Sequence, residues 1–333
     1  MADPTRYGTA NVSPAVNLYA EAKMLAHAAP VVVLDKFGMT KPMPKNKTET
    51  INFRRPDVFS AADTPLQEGV TPSSTAFTFT DVSATMRQYG MIVEVTDKIE
   101  DLHTDPVISS IAEQVGENIG RTIEKITFGV VRAGTNVFYA NGTARSSVNT
   151  AVTLNKIRAV VRNLKANKAM PITRVLDGSP NYQTKPVEAA YVCVCHTHIE
   201  ADLRGLAGFT PVSEYGTRRT VHDYEFGSIE DVRFVSSPDL APFTDAGGTA
   251  GSMISTSGTS ADVYPMLFFG KEAYGTIPLR GMGAVEPTIL RPGTIDKSDP
   301  LGQRGYVGFK CWYTAVILNQ SWMARLEVAA TDL

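Results

Sequence analysis

The chain has no polybasic run, no long apolar run and too few cysteines for a disulfide framework, and each absence closes a class of function. Its 32 basic and 34 acidic side chains leave a formal net charge of −2, so no global positive field is available to hold nucleic acid. The local cluster of Lys41, Lys45, Lys47, Arg54 and Arg55 reads as a solvated face, because like charges avoid burial. No stretch approaches the roughly 18 apolar residues of a membrane-spanning helix. The opening MADPTRYGTA lacks the charged-then-apolar pattern of a signal peptide, so a soluble protein made in the cytoplasm is expected. Cys193, Cys195 and Cys311 are odd in number, with two of them one residue apart, which favours reduced, buried thiols.

Motifs that carry catalysis are missing too. There is no Gly-x-Ser-x-Gly elbow, and Gly270-Lys271-Glu272 lacks the glycine spacing of a phosphate loop. The glycine-rich AGGTAGSMISTSGTS at 246–260 has no Gly-Lys-Ser/Thr ending and no following helix, and its composition reads as a flexible surface loop. Cys193, Cys195, His196 and His198 form the one cluster resembling a metal site. On a strand the cysteines face one way and the histidines the other, so they do not converge unless the strand breaks. His27, His103 and His222 are scattered, and Glu230 and Asp231 face opposite ways within a predicted strand over 227–235. Phe309, Trp312, Tyr313 and Trp322 are assigned to core packing, since only Lys310 and Arg304 lie near enough to assist base stacking. No catalytic, cofactor-binding or metal residue is assigned, and no cofactor is expected.

What is present is extended structure around one long helix. A chain of 333 residues exceeds what one core usually serves, so two lobes or a core with extensions are expected. Residues 1–11 read as a polar arm, followed by a short helix capped at Ser13-Pro14, with Leu18, Ala22 and Leu25 on one face. The connector KPMPKNKTET at 41–50 leads into a segment, 64–97, that reads as a long two-stranded excursion with little core-building power. Its apolar positions alternate at Phe77 and Phe79, then Val82, Ala84 and Met86, then Tyr89, Met91, Val93 and Val95, with a slip of phase between groups. Such a ribbon is marginal alone and needs a neighbouring subunit to lie on, which points to assembly rather than catalysis.

Asp105-Pro106 opens a helix over 107–133, striped by Ile108, Ile111, Val115, Ile119, Ile123, Ile126 and Val130 and closed by Gly134. Its about 27 residues make a strut of roughly 40 Å. Arg121, Glu124, Lys125 and Arg132 fall off the stripe, while Gly116, Gly120 and Gly129 weaken an isolated helix and favour close packing on a sheet. A second helix over 154–167 turns Leu154, Ile157, Val161 and Leu164 inward. Strands are expected at 188–196, 227–235, 264–270, 306–318 and 322–328, giving an α+β chain without internal repeats.

This order, with Glu68-Gly69-Val70-Thr71-Pro72, Gln88-Tyr89-Gly90, Val95-Thr96-Asp97 and the terminal DPLGQRGYVGFKCWYTAVILNQSWMARLEV, resembles the major capsid proteins of tailed bacteriophages. The fold implied is the Hong Kong 97 type, and more specifically the chain looks like the coliphage-N-four-type family. The resemblance implies an N-terminal arm (1–40), an E-loop hairpin (41–100) and a peripheral P domain (101–186, with spine helix 107–133, and 302–333). An axial A domain occupies 187–301. It further implies pentamers and hexamers closing into an icosahedral head around double-stranded DNA, so the protein's destination is the virion. Glu68, Gly69, Val70, Thr71, Pro72, Phe77, Phe79, Arg54 and Arg55 become candidate assembly contacts, with Gly116, Gly120 and Gly129 as bending points of the spine during expansion. Expected partners are further copies of the chain, a separate scaffolding protein, a portal protein, non-specific contact with packaged DNA, and a decoration or cement protein. The ribbon interior 51–96 contains no lysine, which argues against lysine crosslinking there. An encapsulin-like nanocompartment shell and a strand-rich tail component remain as alternatives.

Overall fold

The computed structural model describes residues 32–66, 68–69, 71–102, 107–176, 184–216, 218–279, 285–293, 295 and 299–333. The expected helix behind Pro14 and the Asp105-Pro106 opening lie outside these residues. Two sheets and a detached ribbon organise the rest. In the first, five-stranded sheet the long return strand Arg304–Ile317 is central. Arg87–Thr96 pairs antiparallel along one side of it, from Tyr313↔Arg87 to Arg304↔Thr96. Tyr274–Pro278 and Val285–Leu290 share its other side, and Met39–Thr40 adds in parallel beyond Tyr274–Pro278.

The second sheet has eight strands, with Tyr264–Phe269, Thr184–Cys195 and Val232–Ser236 at its centre. These middle strands read as near-continuous apolar runs because both of their faces are covered. One face carries Cys193, Cys195, Phe234, Met266 and Phe268 into a core shared with Ile157, Val160 and Leu164 of the helix Leu154–Ala166. The other face carries Val192, Val194, Val235, Leu267 and Phe269 into a core shared with Leu34, Phe37, Phe128 and Val131. All three cysteines are free and buried.

The long helix Val107–Arg132 joins the two regions. Its first half packs Ile108, Ala112, Val115 and Ile119 on Val95, Val307, Phe309 and Cys311 of the five-stranded sheet. Beyond Ile119 the buried positions become Glu124, Thr127, Phe128 and Val131, whereas Ile123, Ile126 and Val130 are only half-buried. The sequence stripe placed Glu124 on the solvent side. The structure corrects this: 3.6-residue steps from Ala112, Val115 and Ile119 would continue to 123, 126 and 130, but the buried face shifts by about one residue to Glu124, Thr127, Phe128 and Val131 where the helix leaves the first sheet for the core that holds Leu34 and Phe269.

Three further expectations change. The excursion is not built from 64–97 alone. Its two strands are Thr50–Pro56 and Phe79–Thr85, paired from Thr50↔Thr85 to Pro56↔Phe79, while Arg87–Thr96 has already entered the first sheet. The phase slip at Met86 marks that change of sheet. The strand predicted at 227–235 is a hairpin, Glu225–Ile229 with Val232–Ser236, and Glu230 (φ 49°) and Asp231 form its turn. The segment 246–260 is tied down rather than loose. Asp245 accepts from Ser255 and Ser257, Asp262 accepts from Thr256, and Ala250 is buried with Ala261 and Ala329.

Candidate assembly surface

The ribbon has a half-buried base and an uncovered tip. At the base, Ile51 and Phe53 sit against Met43, Ala84, Met86 and Ile277, continuous with Trp312 on the return strand. Lys41 lies over the Phe53 ring at 5.3 Å. Toward the tip the apolar side chains lose their backing. Phe77 and Phe79 meet edge to face at 4.6 Å and Phe59 joins them at 5.8 Å, yet each remains about half exposed. Val58 and Leu66 project further, 89% and 77% exposed. These clustered aromatics have no core beneath them and make an exposed apolar patch of the kind that interaction sites show.

Among the sequence-predicted contacts, Phe77 and Phe79 are brought together. Arg54 instead faces Asp81 across the ribbon at 3.2 Å, and Arg55 is exposed. Glu68, Gly69, Thr71 and Pro72 lie exposed in the irregular crossing between the strands, and Val70 is outside the described residues. Gly69 takes φ +79°, a left-handed conformation that glycine adopts without steric cost. Gly116 and Gly120 are buried in the long helix. Gly129 is exposed, and a methyl group added there would meet nothing within 4 Å, so the expected close packing at that position is not made.

Sequence reasoning missed the junction between the chain's described start and the long helix. Glu124 accepts hydrogen bonds from the backbone N–H groups of Val33 (3.1 Å) and Leu34 (3.0 Å), at the start of the short turn Leu34–Lys36. Tyr274 donates its hydroxyl to the Leu34 carbonyl at 2.5 Å. Tyr313 donates to Asp35 at 3.0 Å and shares a hydrogen bond with Thr127 of the helix at 2.8 Å. Burial pushes the Glu124 carboxyl up to about 7 against those two backbone donors, with Asp35 and Asp239 adding repulsion. The sequence did not single it out, since the same helix also carries Glu113 and Glu117.

At the helix's other end, Arg325 donates to the Arg132 carbonyl, satisfying an end-of-helix acceptor. Arg325 also pairs with buried Glu327 at 2.8 Å, which Arg145 grips through both oxygens at 2.8 Å. The Cys–His cluster does not converge on an ion. The strand ends at Cys195, and His196 and His198 pack edge to face at 4.4 Å beside Tyr264. No group of three or more metal-ligating side chains occurs among the described residues.

The architecture matches solved phage shells end to end. The capsid of Ralstonia phage GP4 superposes with a TM-score of 0.66 at 14% identity, covering 99% of this chain and 97% of that one. The capsid of cyanophage Pam1 gives 0.63 at 13% identity, with 99% and 97% covered. The fold is thus of the Hong Kong 97 capsid type. Residues 80–326 match the family described as phage capsid protein, and the chain belongs to that family. The major capsid protein of Pseudomonas phage KPP21 is 22% identical over 267 residues, 74% of this chain and 66% of that relative, just under two thirds of its length.

Proposed function

We propose that this chain is the major capsid protein of a tailed phage, assembling as pentamers and hexamers into the icosahedral head that encloses double-stranded DNA. The observation that carries the reading is the ribbon. Two seven-residue strands carry an aromatic cluster that its own subunit leaves uncovered, on a chain of the phage capsid family. Residues 41–100 then form the E-loop laid across a neighbour, 1–40 the arm, 101–186 with 302–333 the P domain and 187–301 the A domain. Tyr274–Pro278 and Val285–Leu290 pair with the return strand, so they lean toward the P side within that division. The role is mechanical: one modest contact repeated around a closed ring becomes strong through symmetry. Scaffolding, portal and cement proteins and weak inner-face DNA contact complete the proposed partners.

The test is co-expression with the scaffolding protein of the same phage, followed by electron microscopy. Shells with fivefold and sixfold capsomers are expected. Uniform particles far too small for a phage genome would instead support a nanocompartment shell.

A further inference from the structure

The ribbon is charged differently at its two ends. From 57 to 86 it carries Asp57, Asp63, Glu68 and Asp81 and no lysine or arginine. Asp81 is matched by Arg54, and Asp57, held by Thr80 (2.7 Å) and Thr78 (2.8 Å), also has the Arg55 charge beside it, so Asp63 and Glu68 carry the remaining negative charge. Through Asp63 and Glu68 the tip is acidic as well as apolar.

At the ribbon's base lies a groove of about 680 Å³ with the opposite character. Met43, Met86, Leu279 and Trp312 contribute apolar lining, and the turn around Asn46 (φ 60°) sets Lys45 and Lys47 on the wall. Of the carboxylates around it, Glu49 is in the lining, and Glu286 is held by Lys310 at 2.7 Å with the Lys45 charge also near it, so three lysines face two carboxylates. The tip cannot fold back into its own groove, because the paired strands carry it roughly 20 Å away. Another copy can supply it.

Resting on the capsid reading above, we propose that the groove formed by 43–49, Met86, Leu279 and Trp312 is the socket for the acidic, aromatic tip of a second copy's ribbon. The apolar surfaces supply the binding, and the opposite charges set register and speed encounter. A tip-to-base contact made in one direction is heterologous and propagates around a ring, whereas a reciprocal exchange of tips would stop at a dimer. Contact energy carried partly by exposed charges is screened by salt.

The test is a charge swap in the full-length chain. Lys45→Glu with Lys47→Glu, and separately Asp63→Lys with Glu68→Lys, are each expected to lower shell yield by about tenfold at low salt. All four changes in one chain are expected to restore it. A disulfide trap gives an independent readout: Leu66→Cys with Thr48→Cys, oxidised, is expected to yield a ladder of covalent oligomers, and the three native thiols are buried. Reversals without effect, no rescue by the swap and no ladder would overturn the socket while wild-type shells left the capsid reading intact. Lysine reversals that assemble normally but fail to retain DNA would overturn it in favour of a nucleic-acid contact. Absence of wild-type shells or capsomers would be a failure of the capsid reading itself.

Discussion

Glu124 shows how one side chain ties the N-terminal part of the chain to the long helix, and its chemistry makes that tie depend on pH. Its folded-state pKa is raised from 4.5 to about 7. The folded form therefore holds its proton more tightly than the unfolded chain does. The stabilisation from that proton is complete below about pH 4.5 and is lost as pH rises through about 7, a swing on the order of 3 kcal/mol. His196 and His222 behave in the opposite sense. Burial pushes both down to about 4, with His198 and Lys36 respectively adding repulsion, so their contribution is present above about 6.5 and fades as pH falls toward 4. Glu124→Gln is expected to flatten the decline in melting temperature between pH 4.5 and 7 while leaving the acid-side decline in place. An unchanged profile, followed by calorimetry, would remove Glu124 from this role. At the same junction, Tyr313→Phe deletes the bonds to Asp35 and Thr127 and is expected to cost about 1 to 3 kcal/mol in denaturant titrations.

At the scale of elements, aromatic side chains divide by what lies beneath them. Phe309 is buried between the five-stranded sheet and the long helix, so Phe309→Ala is expected to destabilise the fold by about 3 to 5 kcal/mol. Phe77→Ala and Phe79→Ala remove exposed rings and are expected to change unassembled stability by less than about 0.5 kcal/mol while sharply lowering shell yield. Urea melts beside assembly yields would separate the two. Glycines divide in the same way. A methyl at Gly308 would meet the Met91 carbonyl at 2.4 Å, so Gly308→Ala is expected to strain the pairing of Arg304–Ile317 with Arg87–Thr96. Exposed Gly129 has open space, and Gly129→Ala is expected to stabilise the helix by up to about 1 kcal/mol. If the helix bends there during head expansion, the same variant expands more slowly.

The periodicities of the long helix, of Leu154–Ala166 and of the strands from 264 onward were readable in the sequence because burial on known faces forces a fixed repeat. The partner of Phe79–Thr85 was not, since Thr50–Pro56 is polar and its pairing is closed by a distant crossing rather than a local turn signal. The hairpin at Glu230 was missed for a related reason. A two-residue turn of Glu and Asp, with Glu230 at positive φ, lacks the Asn-Gly or Gly signature such turns usually carry. Within the exposed aromatic cluster of the ribbon, the alternation of Phe77 and Phe79 was legible, whereas Phe59 reaches them only through the fold.

On the scale of the whole molecule, the buried groups fasten the two sheets into one body through the long helix, and what is left outside that body is a ribbon with an unmatched surface. The division is what a shell subunit requires: a firm brick and an arm whose contacts are completed only by its neighbours. The most direct measurement is cryo-electron microscopy of heads purified from infected cells, with the chain traced in the density. The account predicts this chain as the repeating subunit, with the Phe77–Phe79 tip seated on an adjacent copy and shielded from solvent. A shell in which the tip stays exposed, or one built from a different chain, would contradict it.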